Sequence, residues 1–321
     1  MEKGNWHEVL YGNIYNMKKL TACIICKNEE SCIEKCLNSI EWVDELIILD
    51  TWSTDKTMEL ARKYTDNVYK DISFYDEEKW IFDFWAARNK CKEFATGDFI
   101  LSIDCDEVME EGGIEKIKYA IANTPKCDWV LINLLEENGT AKTSAFRVFK
   151  KKLDWQGAIH EIVHPKNPAK LDVTITFGIS PTHYVDPHLD MRILQTEYER
   201  DPTNPRTCYY LARELINYKE FEAGAGLMGE YIRLSKSIDE QTDWYYWLAL
   251  AFLYLWKREE AVVAASQALL RNPNFKAAIE LIADCQPIQE WKDRWNSFAE
   301  GANDTGLIYI HNFKQECRPS A

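Results

Sequence analysis

Asp104 and Asp106 bracket Cys105 at the end of an apolar run, Phe99-Ile100-Leu101-Ser102-Ile103. On a strand, residues two apart share one side, so both carboxylates can point at one cation. Hard divalent ions such as Mg2+ take oxygen ligands and often ride between one or two carboxylates and a substrate's phosphates. Asp-x-Asp alone also occurs on many solvated surfaces. After a buried-type strand it means more, because the carboxyl edge of an α/β sheet is where such proteins bind ligands. Two other apolar runs end in polar groups. Leu20-Thr21-Ala22-Cys23-Ile24-Ile25-Cys26 stops at Lys27-Asn28-Glu29-Glu30, and Glu45-Leu46-Ile47-Ile48-Leu49 stops at Asp50.

The elements between these tips predict how they meet. Helical spacing puts Ile33, Cys36, Leu37 and Ile40 on one face after the first strand. Thr54 or Asp55 can cap a helix carrying Met58, Leu60 and Ala61, and Val68-Tyr69 reads as a short third strand. A helix over about 82–95 carries Arg88-Asn89 and ends at Thr96-Gly97-Asp98. Strand and helix alternating at these short spacings predict a parallel sheet with right-handed crossovers. The three polar strand ends then line one crevice. A helix over 113–123 and strands over 129–134, 144–149 and 173–177 complete this part.

From Asp190 the pattern turns helical. Tyr209, Leu211-Ala212, Tyr218 and Glu222-Ala223 form one unit, and Trp247, Leu248-Ala249, Trp256 and Glu260-Ala261 form another. Such units are the mark of helix-hairpin repeats. Asn272-Pro273 ends the second unit, and one more helix is expected over 286–300. The Trp and Tyr stripes read as core. The expected division is an amino-terminal arm over 1–19, an α/β domain over 20–187 and an all-α helical-repeat domain over 188–321.

Composition narrows the function. Of 321 residues, 46% are hydrophobic, with 12 Trp, 16 Tyr and 13 Phe, as befits a folded chain with a substantial core. The net charge of -14 disfavours nucleic-acid or anionic-membrane binding as the main activity. Without a transmembrane-length apolar run or a signal-peptide pattern, the reading is a soluble cytoplasmic protein. Among the 10 cysteines, Cys23, Cys26, Cys32 and Cys36 lie close enough to suggest zinc. Their places in a strand and the helix after it favour buried thiols instead.

Taken together, Cys26-Lys27-Asn28-Glu29-Glu30, Asp50-Thr51-Trp52-Ser53-Thr54-Asp55-Lys56-Thr57, Ala86-Ala87-Arg88-Asn89, Ala95-Thr96-Gly97-Asp98, Asp104-Cys105-Asp106-Glu107 and Gly157-Ala158-Ile159-His160-Glu161 resemble the family 2 glycosyltransferases. That resemblance implies a GT-A nucleotide-diphospho-sugar transferase fold. The helical tail is similar to that of a subgroup with tetratricopeptide-like repeats, which includes bacterial enzymes that glycosylate Cys or Ser of small secreted peptides. By the resemblance, Asn28, Glu29 and Asp50 hold the uridine, Arg88 meets the uracil or diphosphate, and Asp104 contacts the ribose or the metal. Asp106 binds Mn2+ or Mg2+, and His183 adds a metal or diphosphate contact. The chain departs from the family at Trp52, where a small residue, often Gly, is common. It also has His160-Glu161 where many relatives carry Glu-Asp.

The expected reaction moves a hexose from a UDP-sugar to a peptide, protein or saccharide acceptor. A divalent ion neutralises the leaving diphosphate, and a base takes the acceptor's proton. A single carboxylate opposite the leaving group inverts the anomeric centre. Glu161 is the expected base, with His160 second because imidazole titrates near neutrality. The helical domain is expected to serve homodimerisation or acceptor binding. One alternative is a nucleotidyltransferase of similar sheet architecture, although Lys27-Asn28-Glu29-Glu30 lacks the glycine-rich basic loop such enzymes usually carry. Another is a helical-repeat adaptor with an inactive α/β part, against which the intact Asp104/Asp106 pair argues.

Overall fold

The computed structural model describes residues 18–76, 81–137, 142–157, 163, 166–178, 186, 188–235 and 238–302. The chain forms two compact units, Met1–Leu189 and Asp190–Ala321.

In the first unit the strands are β1 (Leu20–Cys26), β2 (Glu45–Asp50), β3 (Val68–Lys70), β4 (Tyr75–Asp76), β5 (Ile81–Phe82), β6 (Phe99–Ser102), β7 (Glu107–Met109), β8 (Trp129–Glu136), β9 (Lys142–Lys150) and β10 (Pro168–Phe177). The helices are α1 (Ile33–Ser39), α2 (Thr57–Ala61), α3 (Phe84–Phe94) and α4 (Gly113–Asn123). The main sheet runs β3-β2-β1-β6-β9-β8-β10-β7, and β4 and β5 form a separate small hairpin. β3, β2, β1 and β6 are parallel, as the strand-helix alternation predicts. β9 then runs antiparallel to β6, and β7 antiparallel to β10.

This order forces the sheet to curl. β6 and β7 are joined by residues 103–106 alone, yet β9, β8 and β10 lie between them in the sheet. Four strand spacings of about 4.8 Å come to roughly 19 Å when flat. That exceeds the reach of a linker this short once it contains a turn, and Glu107 N–H does close back on Asp104 O at 3.1 Å. The sheet therefore wraps into a half-barrel, and the acidic linker lies across its mouth.

Each face of the sheet is covered. Leu20, Ala22, Ile24 and Cys26 of β1 join α1 and α4 in one apolar cluster through Ile33, Cys36, Leu37, Ile114, Ile117 and Ile121. Cys23 joins Cys91 and Ala95, at the α3 side, in the other. Residues three apart on a strand face opposite ways, so Cys23 and Cys26 do not converge.

The segment Ala95-Thr96-Gly97-Asp98 fastens α3 and β6 to the start of β1. A Cβ on Gly97 would sit 2.5 Å from Thr21 Oγ1 and 2.8 Å from Lys19 O, so only glycine allows the approach. Asp98 Oδ2 accepts from Lys19 N–H at 3.0 Å. Glu45 completes the joint, accepting from Thr21 Oγ1 at 2.6 Å, Thr96 N–H at 2.7 Å and Lys19 Nζ at 3.2 Å. Burial alone would raise the Glu45 carboxyl, but these bonds outweigh it and hold the group at about 2. A carboxylate depressed in the fold stabilises it above its unfolded value near 4.5 and loses that contribution as pH falls toward 2. Glu45→Gln is therefore expected to cost about 2 kcal/mol at neutral pH. In urea titrations the gap to wild type should close between about pH 4.5 and 2, whereas a gap independent of pH would contradict this account.

The second unit is all helical: α5 (Leu189–Arg200), α6 (Pro205–Asn217), α7 (Phe221–Leu234), α8 (Ile238–Tyr254), α9 (Arg258–Arg271), α10 (Lys276–Cys285) and α11 (Gln289–Glu300). Asn204 caps α6, its side chain accepting from Arg206 and Thr207 N–H, and Pro205 takes the first helical position. α6 with α7, α8 with α9, and α10 with α11 pack as successive hairpins. Lys219 (φ 68°) and Trp256 (φ 61°) make the matching left-handed turns of the first two. A Cβ on Gly224 of α7 would lie 2.6 Å from Ile216 Cγ1 of α6, so this glycine sets how closely that pair approaches. Tyr209, Tyr210 and Trp247 are buried and make that part of the aromatic stripe core, whereas Tyr218 and Trp256 are exposed. Tyr209 Oη donates to the buried Asp243 Oδ2 at 2.8 Å, linking the first hairpin to the second.

Candidate active site

The ends of β1 and β2 are level, with Cys26 opposite Asp50. The loops leaving them are laced together. Asn28, in a left-handed turn at φ 57°, donates its N–H to Ser53 Oγ at 2.9 Å. Its side-chain Oδ1 accepts from Thr54 N–H at 2.8 Å. Glu29 N–H donates to Thr57 Oγ1 at 2.7 Å, Glu30 N–H to Asp55 Oδ2 at 3.1 Å, and Lys56 N–H to Glu30 Oε2 at 3.0 Å. Asp55 Oδ1 also accepts from Thr57 N–H at 2.9 Å at the start of α2, whose cap position is Lys56 rather than Thr54 or Asp55. Asp50 is fully buried, and both its oxygens accept from Ser53 N–H, at 3.1 and 3.2 Å. Asn28, Glu29 and Asp50 thus build a rigid double loop at the strand tips.

The acidic pair corrects one expectation. β6 ends at Ser102, and Asp104-Cys105-Asp106 form the turn into β7 rather than alternate positions of a strand. The turn, not a two-residue repeat, therefore sets their direction. Asp104 is gripped by two guanidinium groups. Arg88 Nη1 lies 2.9 Å from its Oδ1, and Arg147 Nη2 lies 3.4 Å from its Oδ2. Arg147 Nη2 also pairs with Glu107 Oε1, and Glu107 Oε2 accepts from Asp104 N–H at 2.9 Å. The result is a network of two cations and two carboxylates beside the partly exposed Asp106.

The Arg88-Asn89 pair shows why α3 carries it. Arg88 reaches Asp104 while its guanidinium lies 5.7 Å from the centre of the Trp155 ring. Asn89 makes a reciprocal pair with the Trp155 backbone, donating to its O at 3.0 Å and accepting from its N at 2.9 Å. Asp83 caps the helix by accepting from Ala86 N–H at 3.0 Å. The segment leading toward residue 158 is thereby anchored next to Arg88. Gly178 N–H donates to Asp106 O at 3.1 Å, so the segment leading toward residue 179 starts beside the acidic turn. His160, Glu161 and His183 themselves lie outside the described residues.

Glu107 is the perturbed acid of the site. Burial pushes its carboxyl up to about 7; Arg147 pulls it down and Asp104 adds to the rise. The neighbouring thiols are also held protonated. Burial, then the hydrogen bond and charge of Glu29, push Cys32 up to about 12, and burial raises Cys36 well above the usual thiol range. A protonated thiol is a poor metal ligand, so the donors here are oxygen. Among the described residues no group of three or more His, Cys, Asp or Glu forms a metal cage. Asp106 and Asp104 are the oxygen donors here that would hold Mg2+ or Mn2+, which require no such cage.

The sequence pattern brings Asp104, Asp106 and Arg88 together but gives no role to Glu107 or Arg147. The signal for both is burial of charge. Arg147 interrupts a strand that is apolar at Phe146, Val148 and Phe149, and Glu107 opens one. Charged residues in such places are rarely buried unless paired.

Comparisons with known proteins fit this architecture. Residues 21–179 match the family described as Glycosyl transferase family 2. The SPbeta prophage-derived glycosyltransferase SunS of Bacillus subtilis is 28% identical over 76% of this chain and 60% of its own length. A TPR repeat-containing protein of Synechococcus elongatus is 29% identical over 46% of this chain and 36% of its own. The chain thus spans about three fifths, or less, of these relatives. The crystal structure of S. aureus TarS 1-349 covers 88% of this chain and 90% of its own at 16% identity, with a TM-score of 0.39, too loose a likeness to carry an argument. The amino-terminal unit belongs to the family 2 glycosyltransferases.

Proposed function

We propose that the chain transfers a hexose from a UDP-sugar, with inversion and with the help of Mn2+ or Mg2+, to a peptide or protein side chain or to a saccharide. The observation that carries this reading is the Arg88–Asp104–Arg147–Glu107 network beside Asp106, at the mouth of a family 2 glycosyltransferase sheet. Asp106, with Asp104, would hold the cation, and His183 would add to it from the segment that starts beside the acidic turn. When bound, the cation supplies Lewis-acid stabilisation of the departing diphosphate. Arg88 and Arg147 hold Asp104 in place, and Arg88 would meet the donor's negative charge. Asn28, Glu29 and Asp50 shape the uridine end. Glu161 takes the acceptor's proton, with His160 as the second candidate; the chain reaches both from a segment anchored at Asn89.

The peptide acceptor is favoured by the resemblance to peptide glycosyltransferases. The helical unit would capture that acceptor or pair two copies of the chain, and Trp256, Val263 and Leu270, exposed at seven-residue spacing, suit either role. Light scattering on the full chain, with and without a candidate peptide, separates the two.

The direct test is release of UDP from a panel of UDP-sugars with Mn2+ or Mg2+, which needs no acceptor. At least one donor should be hydrolysed, and excess chelator should stop it. Turnover unchanged in chelator would remove the metal from the account, and release of UMP or pyrophosphate would point to nucleotidyl transfer. Glu161→Gln should lose transfer and keep UDP binding.

A further inference from the structure

Trp52 has a backbone conformation that its side chain disfavours. Its φ is 113°, a region where a Cβ is crowded and glycine is at ease. Burial does not explain the conformation, because the residue is 39% exposed. Strain of this kind, held by surrounding structure, gathers at ligand sites.

The surroundings of Trp52 are those of a binding surface. It follows Asp50 by two positions, in the loop laced to Asn28. Its ring meets Tyr75 of β4 edge-on, with centroids 6.3 Å apart and planes at 79°. Lys27, the first residue after β1, places its Nζ 5.8 Å from the centre of the same Tyr75 ring. Two aromatic rings and a cation thus stand together at the tips of β1 and β2, at the end of the crevice assigned to the nucleoside.

We infer that Trp52 is the surface on which the donor's nucleobase stacks, with Tyr75 bracing its ring from the side. This rests on the nucleotide-sugar reading above and adds to it the residue that grips the base. Aromatic rings stack on bases because every base has a π-face. The loss of one such contact weakens binding about tenfold or more. A diphosphate without a base gains nothing from the contact.

The test is calorimetric titration of the full chain with UDP and, separately, with inorganic pyrophosphate, both with Mn2+. Trp52→Gly relieves the left-handed strain, so binding is read on a folded chain, which its thermal transition verifies. It should bind UDP about tenfold more weakly than wild type and pyrophosphate equally well. Trp52→Phe, which restores a ring, should recover most of the UDP affinity. Trp52→Gly binding UDP as tightly as wild type would overturn the inference alone. Equal losses for UDP and pyrophosphate would also overturn it, by making Trp52 a loop-shaping residue. A wild-type chain that binds neither probe would overturn it together with the donor reading on which it rests.

Discussion

Asp106→Asn is expected to lower UDP-sugar turnover by about a thousandfold while leaving the fold intact. Asp106 is partly exposed in a turn, and its charge is one of those that raise the Glu107 carboxyl. Removing that charge relieves repulsion within the network, so stability should stay within about 0.5 kcal/mol of wild type. Turnover should fall because the side chain would be a main ligand of the cation on the leaving diphosphate. Losing about 4 kcal/mol of Lewis-acid stabilisation is a factor of about a thousand in rate. UDP release and a metal-free thermal melt measure the two halves separately. Turnover within tenfold of wild type would remove Asp106 from the mechanism, and a large drop in melting temperature would make it a structural residue.

Glu107→Ala should act in the opposite way, through the fold. Glu107 is buried, pairs with Arg147 and accepts from Asp104 N–H. Truncation takes from the Arg147 guanidinium one of its carboxylate partners in a poorly solvated place, and breaking such a pair costs about 3 kcal/mol. That is a large part of the stability of an ordinary domain. Glu107→Gln keeps one acceptor, for Arg147 or for Asp104 N–H, and sets an amide donor against the other. Keeping the shape of the side chain and one of its two hydrogen bonds, the amide should cost less than the truncation, about 2 kcal/mol. Urea midpoints of the two variants give the comparison. Equal losses would show that charge matters more than the hydrogen bonds, and an Ala variant as stable as wild type would show that the pair contributes nothing.

These two neighbours in sequence differ in role for a reason that spacing does not display. The run from Phe99 to Ile103 announced a buried strand, and the run from Gly113 to Asn123 announced a helix with the bounds observed. Those readings are local, resting on periodicity within one segment. The curl of the sheet is not local. It follows from β7 pairing with β10 on the far side of β8 and β9. That curl turns Asp104 and Asp106 into a bridge rather than a strand tip. Glu107 meets Arg147 only through the tertiary fold. Ala95-Thr96-Gly97-Asp98 was legible as a helix end. Its work as a clamp on Lys19, Thr21 and Glu45 depends on contacts with β1 and β2 that no pattern within the segment reveals.

Asn28 and Asp50 teach a related lesson. Their residue types suited contact with a nucleoside, and their places at strand ends were correctly anticipated. The structure shows both also engaged with their own loops, through Thr54 and Ser53. Binding surfaces of this kind need a rigid frame before they meet a ligand, and polar side chains at a strand tip supply it. Trp52 stands out against that frame because its backbone is strained and its ring is left partly open.

The most direct measurement is a crystal of the full chain soaked with UDP and Mn2+. The account predicts a metal ion on Asp106 bridging to the diphosphate, with Arg88 at the donor's phosphates and the uracil against the loop that carries Trp52. A crevice left empty at saturating UDP, or a nucleotide bound away from the tips of β1, β2 and β6, would contradict it.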